Sequence, residues 1–371
     1  MIQEIVDSKR CFGCGACRSV CPVSAIEMKK DRAGFPVPVV DTEACLGCGA
    51  CRNVCPAGKP VPETENRFFG VKVRDERRLQ STSGGVFRVL AEEVLSARGT
   101  VFGAGFDDDL RLSYMAVRTA EELGKLLGTK YIQADPGDIF FVLKEELEKK
   151  LPVLFCGSPC MTHAVKTFLE DSMGHLPEKL LLADHICFGV PAPGLWEQYK
   201  AYLENQIGGR MTDAIFRTKK KADSAHTVVY GFEKEGKREE ITMPFGEDPW
   251  LRMYSRGITL RDSCYQCPYC TESRVTDLTL GDFWGIENVR KDFDDGYGVS
   301  LVITHTKKGE EALSVVLSQT EYFETDAGSA SQPRLRECTK PTILRKVYAA
   351  EVERNGIENV SMEMLIKKYG H

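Results

Sequence analysis

No window of the 371 residues approaches the ~18 uninterrupted apolar positions that a membrane-spanning helix needs, and residues 1–10 (MIQEIVDSKR) hold no signal-peptide core. A cytoplasmic protein without a membrane span is therefore expected. An excess of positive charge is also missing: 49 Lys and Arg stand against 54 Asp and Glu, a formal net charge of -5. A surface that tracks nucleic-acid phosphates needs the opposite balance, so no nucleic-acid partner is expected. No conventional nucleophile or catalytic carboxylate pair is legible. Wholesale disorder is excluded by 42% hydrophobic and 28% charged residues, and the length suits roughly two to three domains. Cysteine is what the chain has in abundance. There are 15, and eight of them fall within the first 55 residues. An odd, clustered set in a long chain reads as metal ligation in a reducing compartment, not as a disulfide framework.

Two segments repeat almost letter for letter: Cys11-Phe-Gly-Cys14-Gly-Ala-Cys17-Arg-Ser-Val-Cys21-Pro22 and Cys45-Leu-Gly-Cys48-Gly-Ala-Cys51-Arg-Asn-Val-Cys55-Pro56. C-x2-C-x2-C-x3-C-P is the bacterial ferredoxin run, in which three thiolates hold one 4Fe–4S cube and the fourth reaches the other. Two-residue gaps wrap three sulfurs around one face of a cube, and Gly13, Gly15 and Ala16 let backbone N–H groups approach the sulfides. The spacing thus assigns Cys11, Cys14, Cys17 and Cys55 to one cluster, and Cys45, Cys48, Cys51 and Cys21 to the other. Zinc also uses paired C-x2-C elements, but it gains nothing from the third step or from the Cys-Pro.

Beyond a linker, helices and strands alternate. A hydroxyl-capped helix follows Ser83-Gly84-Gly85 and closes at Gly99. Strands are expected at 100–106, 114–118, 151–155 and 180–186, with helices at 119–127, after Pro136, at 161–169 and at 195–203. This alternation predicts an α/β core. Ser83-Gly84-Gly85 would set unhindered N–H groups at a helix N-terminus, a natural seat for phosphate. Cys156-Gly157-Ser158-Pro159-Cys160 repeats that strand-to-helix geometry, so the helix end would favour a Cys160 thiolate; Cys156 reads as structural. His163 and His185 read as structural histidines, and Lys219, Lys220 and Lys221 as a solvated loop.

Cys264, Cys267 and Cys270 form a third C-x2-C-x2-C run with no cysteine three residues on. They offer one face of a further cluster and need a fourth ligand from elsewhere. Cys160 is preferred, Cys187 is the alternative and Cys338 comes after both, while zinc is a stronger competitor here.

Taken together, these segments resemble the coenzyme F-420 hydrogenase/dehydrogenase beta-subunit family of iron–sulfur flavoproteins. The resemblance is carried by Ser83-Gly84-Gly85, Gly128-Thr-Lys130-Tyr131-Ile-Gln133, Gly157-Ser158-Pro159-Cys160, Cys187-Phe-Gly189-Val-Pro191, the Cys264 run and Gly281-Asp282-Phe-Trp-Gly. Thr129 departs mildly from the small serine more usual in that loop. The resemblance implies FAD near Ser83, Gly84, Gly85, Lys130, Tyr131, Gln133, Gly157 and Ser158, with a 4Fe–4S cluster beside it and three such clusters in all.

The expected architecture is a small bacterial-ferredoxin-like domain (1–60), a linker (61–78) and a two-part α/β flavin- and cluster-binding module (79–155 and 156–335). A helical extension (336–371) carries Ile343, Leu344, Val347 and Tyr348 at helical spacing and would cover the core or an oligomer contact. The expected activity is an oxidoreductase passing electrons between a deazaflavin-type hydride carrier, at FAD, and the clusters, in either direction. From there they would reach a carrier or a partner oxidoreductase. Two alternatives are a ferredoxin-dependent FAD reductase of an organic substrate and a non-catalytic electron-relay subunit.

Overall fold

The computed structural model describes residues 7, 9–219, 226–330 and 332–371. Ser8, Lys220 and Lys221 lie outside the described residues. Near the N-terminus, β1 (Ile26–Lys30) and β2 (Pro36–Val40) form an antiparallel hairpin between the two cysteine runs. The following strands are β3 (Arg67–Val73), β4 (Thr100–Phe106), β5 (Leu112–Val117), β6 (Val153–Gly157) and β7 (Leu180–His185). A separate antiparallel meander comprises β8 (Arg210–Thr218), β9 (Thr227–Lys234) and β10 (Lys237–Pro244). The chain then returns to the large sheet as β11 (Leu278–Asp282), β12 (Ser300–Thr304) and β13 (Thr320–Thr325). The eight-stranded order is β13-β3-β12-β11-β7-β6-β4-β5, with a parallel centre (β11, β7, β6, β4) and antiparallel flanks. This is a mixed α/β fold behind a ferredoxin-like unit.

The pleat explains how one sheet serves two helical layers. Alternate residues point to opposite faces. Val101, Leu154 and Ala183 join one apolar cluster with the helices Val86–Ser96 and Lys307–Leu317. Phe102, Val153, Phe155 and Leu182 join another with the helices Ile139–Glu148 and Pro159–Met173. Ala16 and Val54, one from each cysteine repeat, are fully buried in that second cluster, so the ferredoxin unit shares a core with the sheet. A third cluster around Trp196, Tyr199, Tyr230 and Trp250 joins the meander to the C-terminal helices. Each large apolar side chain buried this way contributes about 1.5–3 kcal/mol.

Several expectations need correction. Residues 67–73, expected within the linker, form β3, which sits between β12 and β13 in the sheet. The helix expected over 119–127 is only a 3-10 turn, Glu122–Leu126. The helix after Ser83-Gly84-Gly85 has no hydroxyl cap: Gly85 precedes it with φ +93, a left-handed backbone in which a side chain would strike Val73. In the C-terminal extension Tyr348 and Val352 are buried in the core, whereas Ile343, Leu344 and Val347 are exposed.

Candidate redox centre

In each N-terminal run two glycines supply the left-handed turns that a C-x2-C-x2-C loop needs. Gly13 and Gly15 have φ +67 and +75, and Gly47 and Gly49 have +66 and +80. Each loop ends in one short helical turn, Ala16–Ser19 and Ala50–Asn53. Cys11, Cys14, Cys17 and Cys55 line one cavity with Met28 and Pro56. Cys21, Cys45, Cys48 and Cys51 line a second cavity with Val23 and Leu46. The two settings differ. The first lies against the buried core, while Cys48 is exposed and Leu46 beside it is 67% exposed.

Burial, with the charges of Cys11 and Cys55, pushes the Cys17 thiol up to about 12, and Cys14 and Cys55 are raised for similar reasons. Buried sulfurs that resist joint ionisation become thiolates around a cationic centre, which is the chemistry of an iron–sulfur ligand set. Among the described residues no three His, Cys, Asp or Glu side chains converge as tightly as a single metal ion requires.

The third set forms where parallel strands end. β6 and β7 run side by side, with Gly157 opposite Asp184, so Cys160 and Cys187 leave the same edge of the sheet. Pro159 opens the helix Pro159–Met173 and Gly174 (φ +76) closes it. The Cys264 run approaches from the other side: Arg261 N–H donates to Val190 O (2.9 Å), and a Cβ on Gly189 would stand 3.1 Å from Cys264 Cβ. Cys187 senses the charges of Cys264, Cys160 and Cys267, and Cys264 senses Cys267 and Cys160. Cys270 lies against Cys267, and the Cys338 thiol donates to Cys267 O (3.2 Å). Five cysteines therefore meet, with a sixth behind them, and Cys160 and Cys187 are both present. Helix-end stabilisation of Cys160 does not dominate. Burial pushes its thiol up to about 11, partly offset by the Ser158 hydroxyl 3.4 Å away and by Arg261.

The first and third sets meet at Tyr269. Burial raises this phenol well above its usual range, and Cys160, Cys267, Cys14 and Cys55 each raise it further. Its ring lies 5.8 Å from that of Phe12, inside the first run.

The segments expected around FAD also come together, but most of their donors are engaged within the protein. The Thr129 hydroxyl meets that of Thr82 at 3.1 Å, joining the 81–85 and 128–133 loops. Ser83 Oγ donates to Val299 O (3.0 Å), and Gly84 N–H donates to Ser300 Oγ (2.9 Å). A Cβ on Gly84 would stand 2.2 Å from Val71 O, so that glycine serves close packing. Lys130 Nζ donates to Leu127 O, Ala104 O and Lys125 O, and burial lowers the ammonium to about 7. Gln133 Nε2 donates to Phe12 O (3.1 Å), at the ferredoxin seam. Gly157 packs under the Tyr114 hydroxyl, which accepts from Ser158 N–H at 3.3 Å. Tyr131 sits edge-on to Phe216 and Phe245.

Sequence reasoning passed over three cations here. Lys219, expected in a solvated loop, is 5% exposed and donates to Ser83 O. Arg217 pairs with Asp282 at 2.7 Å beside Tyr131. Arg261 ties the first cysteine run to the third. Nothing in their spacing marks them; only the return of β8 and of residue 261 to the sheet edge brings them to the site.

Residues 10–59 match the family of 4Fe–4S dicluster domains, and residues 151–330 match the C terminus of the coenzyme F420 hydrogenase/dehydrogenase beta subunit. A curated relative, one of the subunits of the F(420)H(2) dehydrogenase of Methanosarcina mazei, is 29% identical over 196 residues, 49% of this chain and 54% of the relative. The chain thus spans about half the length of the curated relative it matches. A solved structure of the F420-reducing [NiFe] hydrogenase complex from Methanosarcina barkeri aligns with a TM-score of 0.44 and 17% identity, over 79% of this chain and 90% of that one. With the cysteine runs and the mixed sheet in place, residues 151–330 are similar to the C-terminal part of the coenzyme F420 hydrogenase/dehydrogenase beta-subunit family, and a 4Fe–4S dicluster domain stands in front of them.

Proposed function

We propose that the chain is an oxidoreductase subunit that moves electrons between a deazaflavin-type hydride carrier and a partner, through FAD and three 4Fe–4S clusters. One observation carries this reading: Tyr269, within the third cysteine run, packs its ring 5.8 Å from that of Phe12 in the first, so the two cysteine sets share one seam. FAD accepts electron pairs as hydride and releases them singly, which suits it to stand between a hydride carrier and iron–sulfur cubes. The residues that would hold it are Thr82 and Thr129 at the loop junction, Tyr131, and the cations Arg217 and Lys219. Those cations favour a site that gains negative charge. Cys160, Cys264, Cys267 and Cys270 would hold the inner cluster, with Cys187 as the alternative to Cys160. Cys11, Cys14, Cys17 and Cys55 would hold the middle one, and Cys21, Cys45, Cys48 and Cys51 the outer one. Cys48 and Leu46 make the outer site the face for exchange with a partner protein or carrier.

The test is anaerobic reconstitution. The expected result is bound FAD, roughly twelve irons for three cubes, and bleaching of the flavin by reduced coenzyme F420. Bleaching by reduced ferredoxin alone would instead support an organic-substrate reductase fed through the outer cluster. A flavin-free relay is the second reading, favoured by the engagement of Gly84 N–H and Lys130 Nζ inside the protein. Full iron without flavin would establish that relay.

A further inference from the structure

Arg261 is a buried cation whose acceptors are all neutral. It is 2% exposed. Its Nε donates to Cys11 O (2.6 Å), one Nη to Gln133 Oε1 (3.1 Å) and the other to Pro36 O (2.9 Å), and the guanidinium lies over the Phe35 ring. Among the described residues no carboxylate forms an ion pair with it. Its backbone belongs to the opposite side of the seam: N–H donates to Val190 O, and Cys264 N–H donates back to its carbonyl (both 2.9 Å). The positive charge acts on Cys160 and Cys264 while the side chain holds the peptide of Cys11.

A buried charge without a counter-ion is strongly unfavourable. The anionic centres next to this one are the two cysteine sets it joins. Gly13 leaves it room, because a Cβ there would come within 2.7 Å of Arg261 Nη1. Resting on the three-cluster reading above, we infer that Arg261 is the counter-cation shared by the middle and inner clusters, holding both at higher reduction potential and offsetting their mutual repulsion. Each transfer moves one electron from cube to cube; no bond forms or breaks and no proton is needed. Arg261 acts through position and charge, as a positioning residue.

The test uses the full holoprotein in an EPR-monitored redox titration. Arg261→Gln should make reduction of the middle and inner clusters at least tenfold less favourable, about 59 mV for one electron. The outer cluster, on Cys21, Cys45, Cys48 and Cys51, is the internal control and should not move. Arg261→Lys restores the charge without the planar fork and should recover most of the shift. Full iron with unmoved potentials in Arg261→Gln overturns the inference, as does an equal shift in all three clusters. If Arg261→Gln fails to hold iron, Arg261→Lys decides: near-native potentials support the shared charge, and potentials lowered tenfold overturn it. A wild-type count of only eight irons would instead sink the three-cluster reading and the inference with it.

Discussion

The Tyr269 hydroxyl stands 2.7 Å from His163 Nδ1, in the seam between the first and third cysteine sets. Burial lowers His163 to about 4 and raises the phenol, so at neutral pH a neutral imidazole and an intact phenol share this hydrogen bond. Tyr269→Phe keeps the ring and leaves a buried nitrogen without its partner. It should cost about 1–3 kcal/mol of stability without loss of iron. Chemical denaturation beside an iron assay checks this; a fall of four irons would mean that the hydroxyl supports cluster binding directly.

Five cysteines meet where a cube takes four. Cys187 senses Cys264, Cys160 and Cys267, Cys264 senses Cys267 and Cys160, and Cys267 senses Cys270. Serine at Cys160, Cys264, Cys267 or Cys270 should remove about four irons from the roughly twelve expected of three cubes, and Cys187→Ser should leave the count intact. Iron analysis of the five single variants decides the ligand set.

Gly13 and Gly47 occupy matching places in the two repeats, with φ +67 and +66. Alanine at Gly47 meets nothing within 4 Å, so only the left-handed backbone opposes it, about 1–2 kcal/mol. Alanine at Gly13 meets Arg261 Nη1 and Gln133 Nε2 at 2.7 Å and Pro36 O at 2.8 Å, adding roughly 1–3 kcal/mol. Thermal melting of the two variants should rank Gly13→Ala well below Gly47→Ala.

His305 makes acid stability testable. Its Nδ1 faces Asn66 Oδ1 (2.7 Å), its Nε2 faces Thr279 Oγ1 (2.8 Å), and burial with Arg274 lowers it to about 3 from 6.5. Between those values the unfolded chain binds a proton that the folded chain does not. Its contribution is therefore fully present above 6.5 and is lost as pH falls toward 3, by up to about 1.4 kcal/mol per pH unit. Asp184, linked through Thr279 and raised by burial to about 6 from 3.8, has the opposite sign and loses its contribution as pH rises between those values. Denaturant melts between pH 4.5 and 7 should show a shallower acid-side loss in His305→Gln and a steeper one in Asp184→Asn.

The cysteine runs were legible because cube geometry imposes short, regular spacings, and β4 was read to the residue because the apolar run VFGAGF follows directly on Gly99-Thr100. β3 was missed because it follows a Pro- and Glu-rich stretch and directly precedes the charged turn Glu76–Gln80. The flavin loops looked open because a single line of sequence cannot show that Ser300, 216 residues away, takes the Gly84 amide. Arg261 was invisible for the same reason: its partner Cys11 lies 250 residues upstream.

The two repeats differ by few letters, yet Ala16 and Val54 are interred beneath Phe140 and Phe168 while Leu46 and Cys48 face outward. The asymmetry lies between the two cavities, each lined from both repeats: the one with Cys11, Cys14, Cys17 and Cys55 faces the shared core, and the one with Cys21, Cys45, Cys48 and Cys51 faces outward. Severed from residues 67–371, the ferredoxin unit would expose the apolar side of its inner half. It should clump rather than fold as a portable electron carrier.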